Sequence, residues 1–256
     1  RAQQAEFAAA RAVRLLELAG KAARESVARA VLERGNSPFG GTLWSKAGEG
    51  LAPMASALPQ MTAEWWRNQA EAARFPWPTL LIVTMAVVGV GVPAGRWLGR
   101  RYGRSPDRTQ PSPRQRLAAA LVASFGPAFL PSLLIGGWFA VLEHSELNAG
   151  AFGNLLGGLA FIAAAYLMFT GLTRAALAPS EPDWRLAPIV DASALALARI
   201  FNRMALFLAF GALAAVAGGA TGSVTADLRD AFSFLFHGSI GIYLLALTRR
   251  DLWRGN

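Results

Sequence analysis

The chain has 256 residues, 54% of them apolar, with 25 Lys and Arg against 16 Asp and Glu, a net charge of +9 and no Cys. The charges avoid five stretches, 75–95, 117–142, 147–173, 204–226 and 231–248, each at least 18 residues long. This segregation excludes an ordinary soluble globule, a disordered chain and a disulfide scaffold.

A helix needs ~20 apolar residues to cross ~30 Å of hydrocarbon. The pattern therefore predicts an all-α membrane protein: a helical segment over 1–76, then about five transmembrane helices over 77–256. The expected spans are about 77–98, 117–142, 149–173, 204–222 and 231–248.

In chain order, residues 1–34 are Ala-rich and broken only at Gly20. Ala9, Val13, Leu16, Gly20, Ala23, Val27 and Ala30 recur at alternating spacings of four and three, the seam of a helix that packs on another helix. A lipid-binding amphipathic helix is the competing reading, against which stands the lack of a large aromatic stripe. The segment Gly35 to Gly41 reads as a turn. Residues 42–74 read as one or two short helices punctuated by Pro53 and Pro59. Trp65, Trp66 and Trp77 precede the first span and suggest an interfacial aromatic belt, with plain core packing as the alternative.

In the second span, Pro127 and Pro131 each remove a backbone donor and crowd the preceding turn, so a kinked or broken helix is expected. Gly153 and Gly157 open the third span with a GxxxG spacing that lets a neighbouring helix approach closely. The link 174–203 holds a rigid turn from Pro179 to Arg185. An amphipathic stretch, 189–203, follows and is expected to run into the fourth span as a short surface helix. Trp184 in that turn is expected at the lipid interface. Arg199 and Arg203 lie one turn apart, suited to lipid phosphates or to simple anchoring.

The links set the orientation. Residues 96–116 carry seven Arg against Asp107, residues 174–203 carry four, and the tail carries Arg249, Arg250 and Arg254. The alternate links hold Arg229 as their one basic residue. This positive-inside bias puts the N-terminus outside, the links 99–116 and 174–203 in the cytoplasm, and the C-terminus there too. It also accounts for the net positive charge without a nucleic-acid partner. The first residue is Arg and no signal sequence is visible, so the chain is expected to begin inside a longer one.

Chemistry is sparse. The spans hold no Asp, Glu or Lys, and His237 is the ionisable group well inside one. A lone intramembrane His is either functional or a neutral, hydrogen-bonded residue; with no carboxylate in any span the second is favoured. Glu143-His144-Ser145-Glu146 lacks the ligands for a metal site. No phosphate-binding loop, nucleotide fingerprint or nucleophile elbow is present, so no catalytic residue, metal or cofactor is expected. A coupled transporter normally keeps charges at the midplane, which lowers that reading too.

Two stretches carry a resemblance. Ala28-Arg29-Ala30-Val31-Leu32-Glu33-Arg34-Gly35-Asn36-Ser37-Pro38-Phe39, continuing to Leu43-Trp44, resembles a periplasmic helical segment of large bacterial mechanosensitive channels of the MscS superfamily. Leu177-Ala178-Pro179-Ser180-Glu181-Pro182-Asp183-Trp184-Arg185-Leu186-Ala187-Pro188, with Asp191 and Ala192, is similar to their cytoplasmic elbow. The resemblance implies a bacterial inner-membrane location, a periplasmic N-terminus, and a tension-sensing peripheral role in osmotic protection. It also implies membrane lipids as partners and a homo-oligomer, a heptamer in that superfamily. The pore helix and cytoplasmic β domain of those channels have no counterpart in these 256 residues. A non-conducting scaffold or accessory subunit, and a transporter domain, are the alternatives. A complete reading frame discriminates among the three.

Overall fold

The computed structural model describes residues 41–72, 75–105, 111–222, 224–249 and 252. The seam over 9–30 and most of the 35–41 turn lie outside them. The described residues form α1 (Gly41–Ala72), α2 (Trp77–Tyr102), α3 (Pro113–Ser124), a π-helical turn (Phe125–Phe129), α4 (Leu130–His144), α5 (Gly150–Leu177), α6 (Asp191–Thr221) and α7 (Ala226–Leu247). A 3-10 turn, Pro182–Trp184, sits between α5 and α6. No strand occurs among the described residues. Among the described residues five helical segments are long and apolar enough to cross a membrane: Trp77–Tyr102, Pro113–His144, Gly150–Leu177, Asp191–Thr221 and Ala226–Leu247. The protein is an all-α membrane protein.

Each span extends past its uncharged run at one end or both. Backbone hydrogen bonding does not stop where the first Arg appears, and a long basic side chain can reach out of the apolar layer from a helix that continues. Thus α2 carries Arg96, Arg100 and Arg101 in its last two turns. Two helix starts are capped by side chains. Ser112 and Gln115 form a reciprocal capping box on α3, and Thr225 accepts a bond from the Leu228 amide at the start of α7.

The second span is continuous but irregular. Ser124 is buried and returns its hydroxyl to the Leu121 carbonyl, and the five residues Phe125–Phe129 make a wider turn around Pro127. A π turn absorbs a missing donor without ending the helix. Pro131 falls in the first turn of α4 that follows.

Residues 41–72 correct the expectation of short helices. They form one helix through both Pro53 and Pro59. Leu43, Ala47, Gly50, Met54, Leu58, Met61 and Trp65 are buried or half-buried and form a seam spaced by fours and threes, with Ala57 half-buried beside it. That seam packs on α7, α6 and α5, and lateral packing holds a helix that two prolines alone would weaken. Leu43 and Ala47 join Leu228 and Ala231 in one core cluster.

The fourth span holds the larger difference. The amphipathic stretch and the span are one uninterrupted helix, α6, of 31 residues. At 1.5 Å per residue it is about 46 Å long.

Candidate functional site

The bundle has two chemically distinct ends. One end gathers the C-termini of α2, α5 and α7 and the N-termini of α3 and α6, with their arginines. The other gathers Glu143, Glu146 and Asp227 and is overlaid by α1.

At the arginine-rich end the link between α5 and α6 is a fastened elbow. Helix α5 ends on Ala178, which is fully buried with φ 36°, a left-handed conformation that costs a residue with a Cβ. The Arg185 side chain folds back into this turn and is 4% exposed. Its Nε donates to the Ala178 carbonyl at 3.4 Å, Nη1 to Ile189 at 2.8 Å and Nη2 to Pro179 at 3.3 Å. Nη2 also pairs with Asp191 at 2.6 Å, the first residue of α6. One planar guanidinium thus joins the end of α5 to the start of α6, a geometry that needs several donors in a fixed fork.

Two neighbours extend the fastening. Arg116 Nη1 donates to the Arg185 carbonyl from α3. Arg104 donates to the Ala175 carbonyl at 2.8 Å and pairs with Glu181 at 3.0 Å. Cations here also complement the negative C-terminal pole of α5.

Trp184 is not at the lipid interface as expected. It is 5% exposed and packs with Ala119 and Ala178. The 3-10 turn swings it inward, because the small residues on α3 and at the α5 end leave room for an indole.

Arg199 and Arg203 do project outward from α6. They line a cleft of about 550 Å³ between α6 and α7, together with Ser193, Tyr243 and Arg249. The Arg249 position belongs to a separate part of the sequence and its convergence on α6 has no local signal. None of the described residues lining the cleft is acidic.

At the opposite end, Trp65 is half-buried. Its indole N–H donates to the Leu147 carbonyl at 2.8 Å and its ring stacks on Phe152 at 5.1 Å. It therefore docks α1 on the α4–α5 loop. Trp66 and Trp77 remain exposed, at 62% and 67%, Trp77 against Phe75. Replacing Trp65 by Phe should keep the stacking and lose the hydrogen bond, about 1 kcal/mol. A small drop in the melting temperature of the detergent-solubilised protein is expected; an unchanged value would mean that the bond does not hold α1.

Small residues set the helix contacts. Beside Gly157 stands the Phe139 ring of α4, with no room for a Cβ, and Gly153 seats the Asn148 backbone of the preceding loop. Of the GxxxG pair only Gly157 meets a neighbouring helix; Gly153 meets the loop before its own helix. The neighbouring Gly158, not singled out beforehand, admits Val216 of α6, and Gly171 admits Ala128 of the π turn. His237 is exposed on α7, with Nδ1 2.7 Å from the Ser233 carbonyl one turn before. That partner assigns the proton to Nδ1.

Between α1, α5, α6 and α7 lies an almost wholly apolar cavity of about 630 Å³, bounded by Met54, Leu58, Leu155, Phe210, Leu213 and Phe236. The described residues contain no group of three side chains able to hold a metal ion. Comparison with known proteins finds no match to a family model, to a curated sequence or to a solved structure.

Proposed function

We propose that this bundle is the tension-sensing, peripheral part of a mechanosensitive channel that protects a bacterial cell from osmotic shock. In this reading it sits in the inner membrane, the arginine-rich end faces the cytoplasm and the acidic end faces the periplasm. The chain works in a homo-oligomer, a heptamer by the resemblance of its elbow.

The observation that carries the reading is α6. It is one rigid rod from the elbow through the span, at about 46 Å longer than the ~30 Å hydrocarbon layer. A helix longer than the layer meets the mismatch by tilting, and thinning under tension changes that tilt. Arg185 ties the foot of α6 to the end of α5, and Arg116 ties α3 to the same link. Tilt of α6 is thereby passed to its neighbours. Arg199 and Arg203 hold headgroups at the foot, so that lipid displacement pulls on the rod. The outermost helix, α2, packs on α3 and α4 and presents Leu81, Ile82, Met85 and Val90 outward.

The test is patch-clamp recording under suction ramps of the full-length protein carrying this segment, in spheroplasts stripped of their own mechanosensitive channels. Pressure-gated currents that depend on the protein are expected. Replacing Arg199 and Arg203 together by Ala should raise the tension for half-opening. Silent patches, with the protein shown to be inserted, overturn the reading. An unchanged threshold in the double variant removes the arginines from it.

A further inference from the structure

We propose that an apolar trough along α5 and α6 is a binding site for one acyl chain of a membrane phospholipid. The proposal goes beyond the tension-sensing reading and stands whether or not tension gates a pore.

The trough is built from two adjoining cavities. The first is the space of about 630 Å³ between α1, α5, α6 and α7. The second, of about 220 Å³, lies along α5 and α6. Leu159, Phe210 and Leu213 line both. The joint lining runs from Leu155 to Tyr166 on α5 and from Ala217 to Leu206 on α6. Each stretch covers about 16 Å at ~1.5 Å per residue, close to half of the ~30 Å hydrocarbon layer. Both begin near the end of the bundle that α1 overlays and stop near the middle of the spans. The trough thus has the depth of one leaflet. Phe210 is 60% exposed and Leu206 43%, so among the described residues its side lies open. A chain can slide in laterally from the bilayer and rest against Met54 and Leu58 of α1.

The chemistry of the walls selects this occupant. A space of this size falls in the ~300–1,000 Å³ range of ligand pockets. Left empty, it would deprive its walls of dispersion contacts on one side. Water needs ~2–4 polar partners. Among the described lining residues the hydroxyls of Ser239 and Tyr166 are the polar side-chain groups. A free fatty acid would bring a carboxylate, and no described residue of the lining is a cation. A phospholipid leaves its charged headgroup in the interfacial layer and lends the chain alone. The headgroup therefore does not decide binding here, in contrast to the arginine-lined cleft at the other end. A seated chain touches α1, α5, α6 and α7 and joins helices that otherwise leave a gap.

Photolabelling of the full chain in nanodiscs tests this, with the labelled residues mapped by mass spectrometry. Three probes carry the same diazirine-bearing acyl chain: a phosphatidylcholine, a phosphatidylglycerol and the free fatty acid. The phosphatidylcholine should label 155–166 and 206–217 at least about tenfold more than the outward face of α2 at 81–90. The phosphatidylglycerol should match it within about twofold, and the fatty acid should label at least about tenfold less. Ala214→Phe and Ser239→Phe fill the trough from two different helices, and each should cut the labelling about tenfold. Ala215→Phe, at an exposed position of α6 outside the lining, should leave it unchanged. Labelling of the trough no stronger than that of α2 reduces the occupant to ordinary boundary lipid and overturns the proposal; this comparison needs no variant. A trough without label in an inserted protein holds protein instead, a second copy included, and overturns it too. Preference for the fatty acid overturns the assignment to a phospholipid. A preference of about tenfold for phosphatidylglycerol means that a headgroup site governs binding, and it also overturns the proposal. Unchanged labelling in both filled variants does the same. Pressure-gated currents from a protein whose trough takes no label would refute this proposal and leave the tension-sensing reading standing.

Discussion

Replacing Arg185 by alanine is expected to release the elbow between α5 and α6. The variant strands the carbonyls of Pro179 and Ile189, leaves the Ala178 carbonyl with only the Glu181 amide, and removes the partner of Asp191. Each stranded acceptor costs about 1 kcal/mol or more, so local stability should fall by about 2 kcal/mol. The elbow would then open roughly thirtyfold more often, since each 1.4 kcal/mol is tenfold in an equilibrium. Trp184 reports this directly. It is buried in the intact elbow, and chymotryptic cleavage after it should accelerate by about the same factor when opening is fast relative to cleavage. Arg185→Lys should recover only a minor part, because one ammonium cannot satisfy three carbonyls and a carboxylate in those directions. Asp191→Asn should cost much less, because the Asp191 side chain is 71% exposed and its charge is screened. A cleavage rate in Arg185→Ala within twofold of the unaltered protein would refute the clamp.

The second large effect is expected at Gly158, in the contact between α5 and α6. A Cβ placed there runs into both methyls of Val216, one of them at 2.8 Å, with the Val216 Cβ at 3.1 Å. Valine in a helix has one strongly preferred rotamer and cannot turn away. The helices must separate, at a cost of about 1–3 kcal/mol for Gly158→Ala. The gain in helix propensity from glycine to alanine, up to ~1 kcal/mol, is already opposed to this and does not reverse it. Gly136 on α4 has nothing within 4 Å of a Cβ, and Gly136→Ala should be neutral or stabilising. Val216→Ala in the Gly158→Ala background should recover most of the loss, so the double-mutant cycle should show a coupling of at least about 1 kcal/mol. Thermal unfolding in detergent of the four proteins measures it. Additive effects would mean that the two side chains do not meet.

The same helices show why some of this was legible beforehand. The glycine at 157 announced a close approach, but the residue that enters at 158 belongs to a helix more than 50 residues away. Pro127 announced an irregular turn; that the turn would stay helical as a π turn depended on the Ala128–Gly171 contact, which fills the widened loop from α5. The 43–65 seam was present in the sequence at its regular spacing. Pro53 and Pro59 obscured it, because the local rule for proline outweighs periodicity until a packing surface is known.

What the sequence determined by itself is the set of spans, their number and their order. In hydrocarbon every backbone donor and acceptor must be satisfied within the segment, so an uncharged run of sufficient length is a helix whatever surrounds it. The accumulation of arginine at alternate links is likewise a local property and marks one end of the bundle. Only the tertiary structure decided that α1 is one helix, that Trp184 turns inward, that Arg185 is the clamp, and that Arg249 joins Arg199 and Arg203. Each depends on the rotation and register of one helix against another. Those are set by the fit of small residues and side-chain forks between segments distant in sequence, and no spacing within a single segment records that fit.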